Sequence, residues 1–310
     1  MSRGLWVVVI VAVIAGLAAV ALPLLGLAIF FRHDIGACLF GPGEPASGTR
    51  LVYEVPSRAE GSAADIEQIR RVLVKRIDPN GRQGCVVRPA DGRIEIQVPG
   101  RGPGHAAEVE RVKRLVAREG VLEFRIVADK VKDADKVNFE RLIDLKRAGR
   151  PPDTPQFRWC TLKRGWEWHE QGMLDAWNFV YVVDPDSQTV EALVDVSDGQ
   201  DVTGADLARV AASSLDGEAI VEFSLKAEAG ARFARLTRRE AWNRHLAIIL
   251  DGVVESAPVL RTTLSTSGII EGYQNIRERD DIVSILNSGQ LGIRLGEPVA
   301  EEHFEPVPGR

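Results

Sequence analysis

Apolar and polar positions carry their clearest pattern between residues 246 and 260, LAIILDGVVESAPVL. Two runs rich in β-branched residues flank Asp251-Gly252, a pair that accepts positive φ at both centres of a two-residue turn, so the pattern predicts a β-hairpin. Leu246, Ile248 and Leu250 fall on one face, Ala247 and Ile249 on the other. Apolar on both faces, the first arm is expected inside a sheet covered from both sides. Pro258 has no N–H to donate, and the second arm is expected to leave the ladder near it.

Upstream, residues 51–55 read as a strand and 63–77 as a helix, with Ile66, Ile69, Leu73 and Ile77 on one stripe behind a Ser62 N-cap. Residues 85–88 and 93–98 flank Ala90-Asp91-Gly92 as a second hairpin. Its second arm alternates Ile94, Ile96 and Val98 with Arg93, Glu95 and Gln97, the pattern of a sheet with one wet face. A helix over 106–118, with Val109, Val112 and Val116 inward, and a strand over 121–127 complete the order βαββαβ. The order recurs as strand 220–225, helix 227–238, the 246–260 hairpin, helix 277–286 and strand 292–295, with an extra strand at 268–271. The predicted fold is α+β: two ferredoxin-like units forming a base.

Residues 128–216 do not repeat and predict an inserted α+β subdomain. A charged helix over 130–148 stops at Pro151-Pro152, strands are expected at 181–183 and 190–194, and Trp159, Trp166, Trp168 and Trp177 lie within the insertion. For Trp166-Glu167-Trp168-His169-Glu170 two readings stand side by side: packing of a small subdomain, or a contact surface, since tryptophan dominates interface energetics.

Residues 5–31 are free of charge and, as a helix, span roughly 40 Å, more than the hydrocarbon core of a bilayer. Residues 1–32 are read as a transmembrane anchor, kinked at Pro23, with the amino terminus inside. A cleaved signal ending at Ala19-Val20-Ala21 is the alternative, against which the length of the apolar run speaks. Residues 33–48 are read as a linker; Ile35-Gly36-Ala37-Cys38 has the outline of a lipoprotein cleavage box, but Arg32-His33-Asp34 interrupts the apolar lead into it.

Composition narrows the function classes. At 310 residues, 45% hydrophobic and 27% charged, the chain is globular. A net charge of -5 argues against nucleic acid, whose phosphates need a basic surface. Cys38, Cys85 and Cys160, odd in number and far apart, fit neither a zinc site nor a disulfide framework, although bridging of one pair stays open in an oxidising compartment. His33, His105, His169, His245 and His303 are scattered, with no HExxH and no Gly-x-Ser-x-Gly elbow, so no metal, cofactor or enzymatic chemistry is predicted.

LAIILDGVVESAPVL resembles the hairpin of the large extracytoplasmic P1 domain of SecD and SecDF, the family that assists Sec-dependent protein export. KRIDPNGRQGCVVRPADGRIEIQVPG (75–100), VLEFRIV (121–127), DVTGADL (201–207), FARLT (233–237) and LNSGQLGIRL (286–295) are similar to further segments of that domain, in order. The resemblance implies a P1-like base in two halves, 49–127 and 217–300, an inserted head-like subdomain over 128–216, and a tail over 301–310. It departs in two places. Leu39-Phe40-Gly41-Pro42-Gly43 stands where the family carries an LDLxGG-like run, and no second apolar span follows Phe304. The proton-carrying helices of the family are therefore expected on a partner, and the resemblance implies the Sec channel or separate SecD/SecF transmembrane components as partners. The resemblance implies a single-pass inner-membrane protein, its bulk outside the cytoplasm, that binds unfolded exported polypeptide without enzymatic activity. Trp159, Trp166, Trp168 and Trp177 are the candidate contacts, and Asp251, Gly252 and Pro258 the structural hairpin. The alternative is a SecD-derived envelope scaffold no longer engaged in translocation.

Overall fold

The structure, a computed structural model, describes residues 45, 47–56, 63–134, 137–150, 154–164, 171–197, 199 and 202–305. The expected anchor over 5–31, Cys38, the Ser62 cap, the proline stop at 151–152, Trp166 and Trp168 lie outside the described residues. Among those that are described, no helix is long and apolar enough to cross a membrane.

In chain order the strands are β1 (Gly48–Glu54), β2 (Val86–Ala90), β3 (Arg93–Pro99), β4 (Leu122–Val127), β5 (Phe157–Leu162), β6 (Tyr181–Val183), β7 (Val190–Asp195), β8 (Leu207–Leu215), β9 (Glu218–Leu225), β10 (Leu246–Leu250), β11 (Val253–Ser256), β12 (Ser267–Ile270) and β13 (Ala300–Phe304). The helices are α1 (Ala63–Ile77), α2 (Pro103–Ala117), α3 (Phe139–Arg147), α4 (Gln171–Ala176), α5 (Ala227–Leu236) and α6 (Ile276–Ser288).

The first sheet has the order β13-β1-β3-β2, antiparallel throughout. Period-two burial puts Leu51, Tyr53, Ile94, Ile96 and Val98 on one face, where Ile69, Leu73 and Ile77 of α1 and Val109, Val112 and Val116 of α2 cover them. Arg93 and Glu54 pair on the opposite face, as do Arg50 and Glu302, so the expected wet face is present.

The expected βαββαβ closure is corrected here: β4 does not return to β1, and β13 takes that place, with Gly48 opposite Phe304. The burial of the two strands explains the exchange. β4 is largely buried and needs neighbours on both edges, which β10 and β7 supply. β13, Ala-Glu-Glu-His-Phe, is mostly exposed and suits an edge.

The second sheet has the order β4-β10-β11-β5-β7-β6, and an additional β4–β7 pairing closes five of these strands on themselves. β5 and β11 run parallel, their partners antiparallel. Ala247, Ile249, Val254, Cys160, Leu162, Ala192 and Val194 share the inner face. Outside, Leu246, Ile248 and Leu250 pack with Phe124, Phe223 and Phe233 in the second core; Phe124 lies 5.3 Å from Phe223 and 5.1 Å from Phe233 between ring centroids. All five residues of β10 are buried, in keeping with its two apolar faces.

The third sheet, β12-β9-β8, corrects the expected second unit. β9 pairs with β8 and β12, not with the β10–β11 hairpin, and residues 292–295 form no strand. Leu291 and Leu295 are instead buried in the first core, apolar positions used for packing rather than for a ladder. Asp216 and Gly217, at φ 51° and 88°, turn β8 into β9, so the division at 216/217 falls inside this hairpin. The helix expected over 130–148 is shorter, because the Asp129 carboxylate accepts the N–H groups of Val131 and Lys132 in a turn, and α3 starts only at its Asn138 cap.

Candidate functional site

The described members of the tryptophan group do not converge. Trp159 on β5 is half-buried on the outer face of the closed sheet with Phe139, Leu142, Phe157 and Leu193; Lys146 Nζ stands 6.0 Å over its ring, and its Nε1 is buried without a partner. Trp177, after α4, packs against the inner-face cluster, its ring 4.9 Å from His245 and 5.6 Å from Phe179. Strand alternation separates the two: Leu193, beside Trp159, and Ala192, in the cluster of Trp177, point to opposite faces. His245 is 7% exposed, and burial between these rings pulls its imidazole down to about 4.

The hairpin residues hold a polar junction between the layers. Asp251 and Gly252 sit at φ 55° and 81°, and Pro258 lies beyond the end of β11, its carbonyl accepting Leu246 N–H. The Asp251 carboxylate takes the N–H groups of Gly120 and Val121, each at 2.8 Å. Beside it, Arg118 reaches Glu255 at 3.0 Å, and Lys163 bridges Glu255 at 3.2 Å and Glu278 at 2.7 Å while lying 4.7 Å over the Tyr273 ring. Burial first, then the Glu255 charge, pushes the Tyr273 phenol up.

Arg76 plugs the neighbouring joint. It is fully buried and donates to the carbonyls of Leu115, Arg118, Glu119 and Gly289 and to Ser288 Oγ, satisfying the carboxyl ends of α2 and α6. Burial lowers its guanidinium to about 10. Nothing in the sequence pointed to it, since it adjoins Ile77 on an ordinary amphipathic helix.

Among the described residues no group of three or more His, Cys, Asp or Glu could hold a metal ion. Cys85 and Cys160 are free and buried, and burial pushes the Cys85 thiol up to about 12, away from nucleophilic form.

The sheet margins offer a different kind of site. β2 carries Arg88 and Pro89, β13 carries Glu301 and Glu302, β6 has 3 residues and β12 has 4. β8 is an edge strand of 9 residues, LARVAASSL, mostly exposed. Sequence reasoning missed it although Asp216-Gly217 between two strand-like runs is the signal that located the other two hairpins.

Residues 180–293 match the family model for the SecDF P1 head subdomain, from the approach to β6 through α6. SecD of Aquifex aeolicus is 41% identical over 92 residues, 29% of this chain and 18% of that protein. SecDF of Thermus thermophilus is 36% identical over 96 residues, 30% of this chain and 13% of that protein. The aligned part is thus less than a fifth of either relative. Two solved SecDF structures share the fold. One, of SecDF as a membrane component that enhances protein export, has a TM-score of 0.51 at 24% identity, covering 81% of this chain and 98% of that chain. The other, SecDF in a Super-membrane-facing form, has a TM-score of 0.54 at 23% identity, covering 91% of this chain and 35% of that chain.

Proposed function

We propose that this chain, which carries a SecD P1 domain, is held in the inner membrane by residues 5–31 and binds unfolded polypeptide outside the cytoplasm during Sec-dependent export, without enzymatic activity. The observation that carries the proposal is the P1-head match across residues 180–293. The β13-β1-β3-β2 sheet with α1 and α2 on one face is read as a ferredoxin-like base layer whose fourth strand comes from the end of the described chain. Because Gly48 pairs with Phe304, the chain enters and leaves this layer at one place, which suits a base standing on a membrane. The Sec channel is the expected neighbour.

The test uses the full chain in detergent micelles, titrated with reduced, carboxymethylated α-lactalbumin and with the native form of the same protein. Tryptophan fluorescence should shift, and anisotropy of a labelled probe should rise, with the unfolded form alone. Binding should be weak, as a translocation aid must release each segment when the next arrives. Replacing Trp166 and Trp168 with Ala is expected to reduce the fluorescence response. Equal binding of both forms, or of neither, refutes the proposal.

A further inference from the structure

The two-residue turn at Asp216-Gly217 determines which backbone groups of β8 are free. In such a hairpin the flanking pair, Leu215 and Glu218, exchanges both hydrogen bonds, and bonded and non-bonded pairs then alternate. Ser213 and Ala211 therefore direct their N–H and C=O toward β9. Ser214, Ala212 and Val210 direct theirs away from it. On β9 the counterparts Val221 and Phe223 turn to β12, paired with Ile270 and Gly268. On β8 they meet no strand among the described residues. Asn287 Nδ2 of α6 takes the Val210 carbonyl at 3.2 Å, and Arg279 braces the Ser213 carbonyl at 2.9 Å, so the strand is held in place while, among the described residues, the outward groups of Ala212 and Ser214 meet no partner.

The residue types along this edge point the same way. Sheet edges are ordinarily protected from added strands by charge, proline or brevity. The other margins use these devices, whereas β8 is long, has no proline, and carries one charge, Arg209. Ala211, Ala212, Ser213 and Ser214 are small enough to admit a neighbouring strand whatever its side chains. Beside the edge, the outer face of the third sheet forms an open groove of about 290 Å³ lined by Arg209, Ala211, Glu222, Phe223, Ser224 and Ile269, which offers both charges and apolar contacts.

We propose that the free edge of β8 accepts an extended segment of unfolded polypeptide as an added strand, bonded through the outward backbone groups of Ala212 and Ser214, with side chains of one face lying toward the Arg209 side of the groove. This rests on the polypeptide-binding reading above and places it on the backbone rather than on tryptophan. Main-chain bonding makes the recognition independent of sequence. A few open residues bury far less than the roughly 1,200 Å² of a stable protein interface, which favours a transient segment over a second copy of this chain.

The experiment exploits the direction of one N–H. Ala212→Pro removes a donor that faces away from β9, so the hairpin ladder keeps its bonds. In the full chain in detergent micelles, A212P should leave the melting temperature within a few degrees and weaken binding of reduced, carboxymethylated α-lactalbumin at least tenfold. In parallel, Ser214→Cys carrying a benzophenone label should photo-cross-link that probe, and Arg88→Cys on the β2 edge should not. If the original chain binds the probe and A212P binds it equally, the edge assignment falls and the general function stands. If the original chain does not bind it, both fall. Should A212P fail to fold, the cross-link decides, and a yield at position 214 no higher than at 88 overturns the proposal. A dimer abolished by A212P while probe binding is kept overturns it as well.

Discussion

Asp251 and Val121 hold each other through two hydrogen bonds: the Asp251 N–H donates to the Val121 carbonyl at 2.9 Å, and the Val121 N–H donates to Asp251 Oδ1 at 2.8 Å. The turn of the β10–β11 hairpin is thereby fastened to the start of β4, some 130 positions earlier in the chain. Replacing Asp251 with Ala leaves the N–H groups of Gly120 and Val121 without their acceptor, at a cost of about 1–3 kcal/mol for each that stays buried. Asn, which keeps an oxygen and tolerates positive φ, should lose less. Thermal melting of the two variants checks the order; an Ala variant as stable as the original would contradict it.

Gly252 occupies φ 81° with nothing within 4 Å of the position a Cβ would take, so space is no obstacle there and backbone strain alone decides. Gly252→Val is expected to destabilise by on the order of 1–3 kcal/mol and to lower the melting temperature by several degrees. Gly252→Asn should lie between the two.

Arg76 contributes through what it satisfies. Arg76→Leu would leave carbonyls at the ends of α2 and α6 unbonded in the interior, an expected loss of about 3 kcal/mol or more. Hydrogen exchange should then accelerate in residues 115–121 and 285–291 before it does in β1 or β3. Uniform acceleration would mean that Arg76 does not act at this joint.

His245 makes stability depend on pH. Its folded value of about 4 lies below the ordinary 6.5, so the unfolded chain binds the proton more readily. The contribution of the neutral ring is complete above about pH 6.5, declines as the pH falls toward 4, and declines no further below that. The nearby charges of Asp129, which favours protonation, and of Lys132 and Arg261, which oppose it, only adjust this. His245→Phe should flatten the change in melting temperature between pH 6.5 and 4, compared with the original chain. Trp177, its ring tilted against the imidazole with centroids 4.9 Å apart, should report the protonation by quenching. Parallel curves for the two proteins would remove His245 as the cause.

The anchor reading of residues 5–31 predicts that the protein stays with inner membranes through high-salt and alkaline washing. A reporter fused after Arg310 should be active only outside the cytoplasm. Release into the soluble envelope fraction would show that the segment is cleaved.

Local chemistry was legible without coordinates wherever a short stretch determines its own backbone. Asp91-Gly92 and Asp251-Gly252 both take positive φ in tight turns, and the Ile69, Leu73, Ile77 stripe buries as its period requires. Asp216-Gly217 carries the same signal, but it falls where the non-repeating residues 128–216 meet the recurring strand-helix order, so β8 is absent from the elements the pattern predicts.

The sequence by itself determined the α+β class, the hairpins and the resemblance to the P1 domain, all properties of residues near one another along the chain. Tertiary structure alone decided that β13 rather than β4 stands beside β1, that Trp159 and Trp177 face away from each other, and that Arg76 lies at the meeting of two helix ends. The reason is physical. Turn conformation and amphipathic period are settled by local sterics and burial, whereas a strand's neighbour is chosen by competition among all strands of matching face and length, and by which edges must be covered.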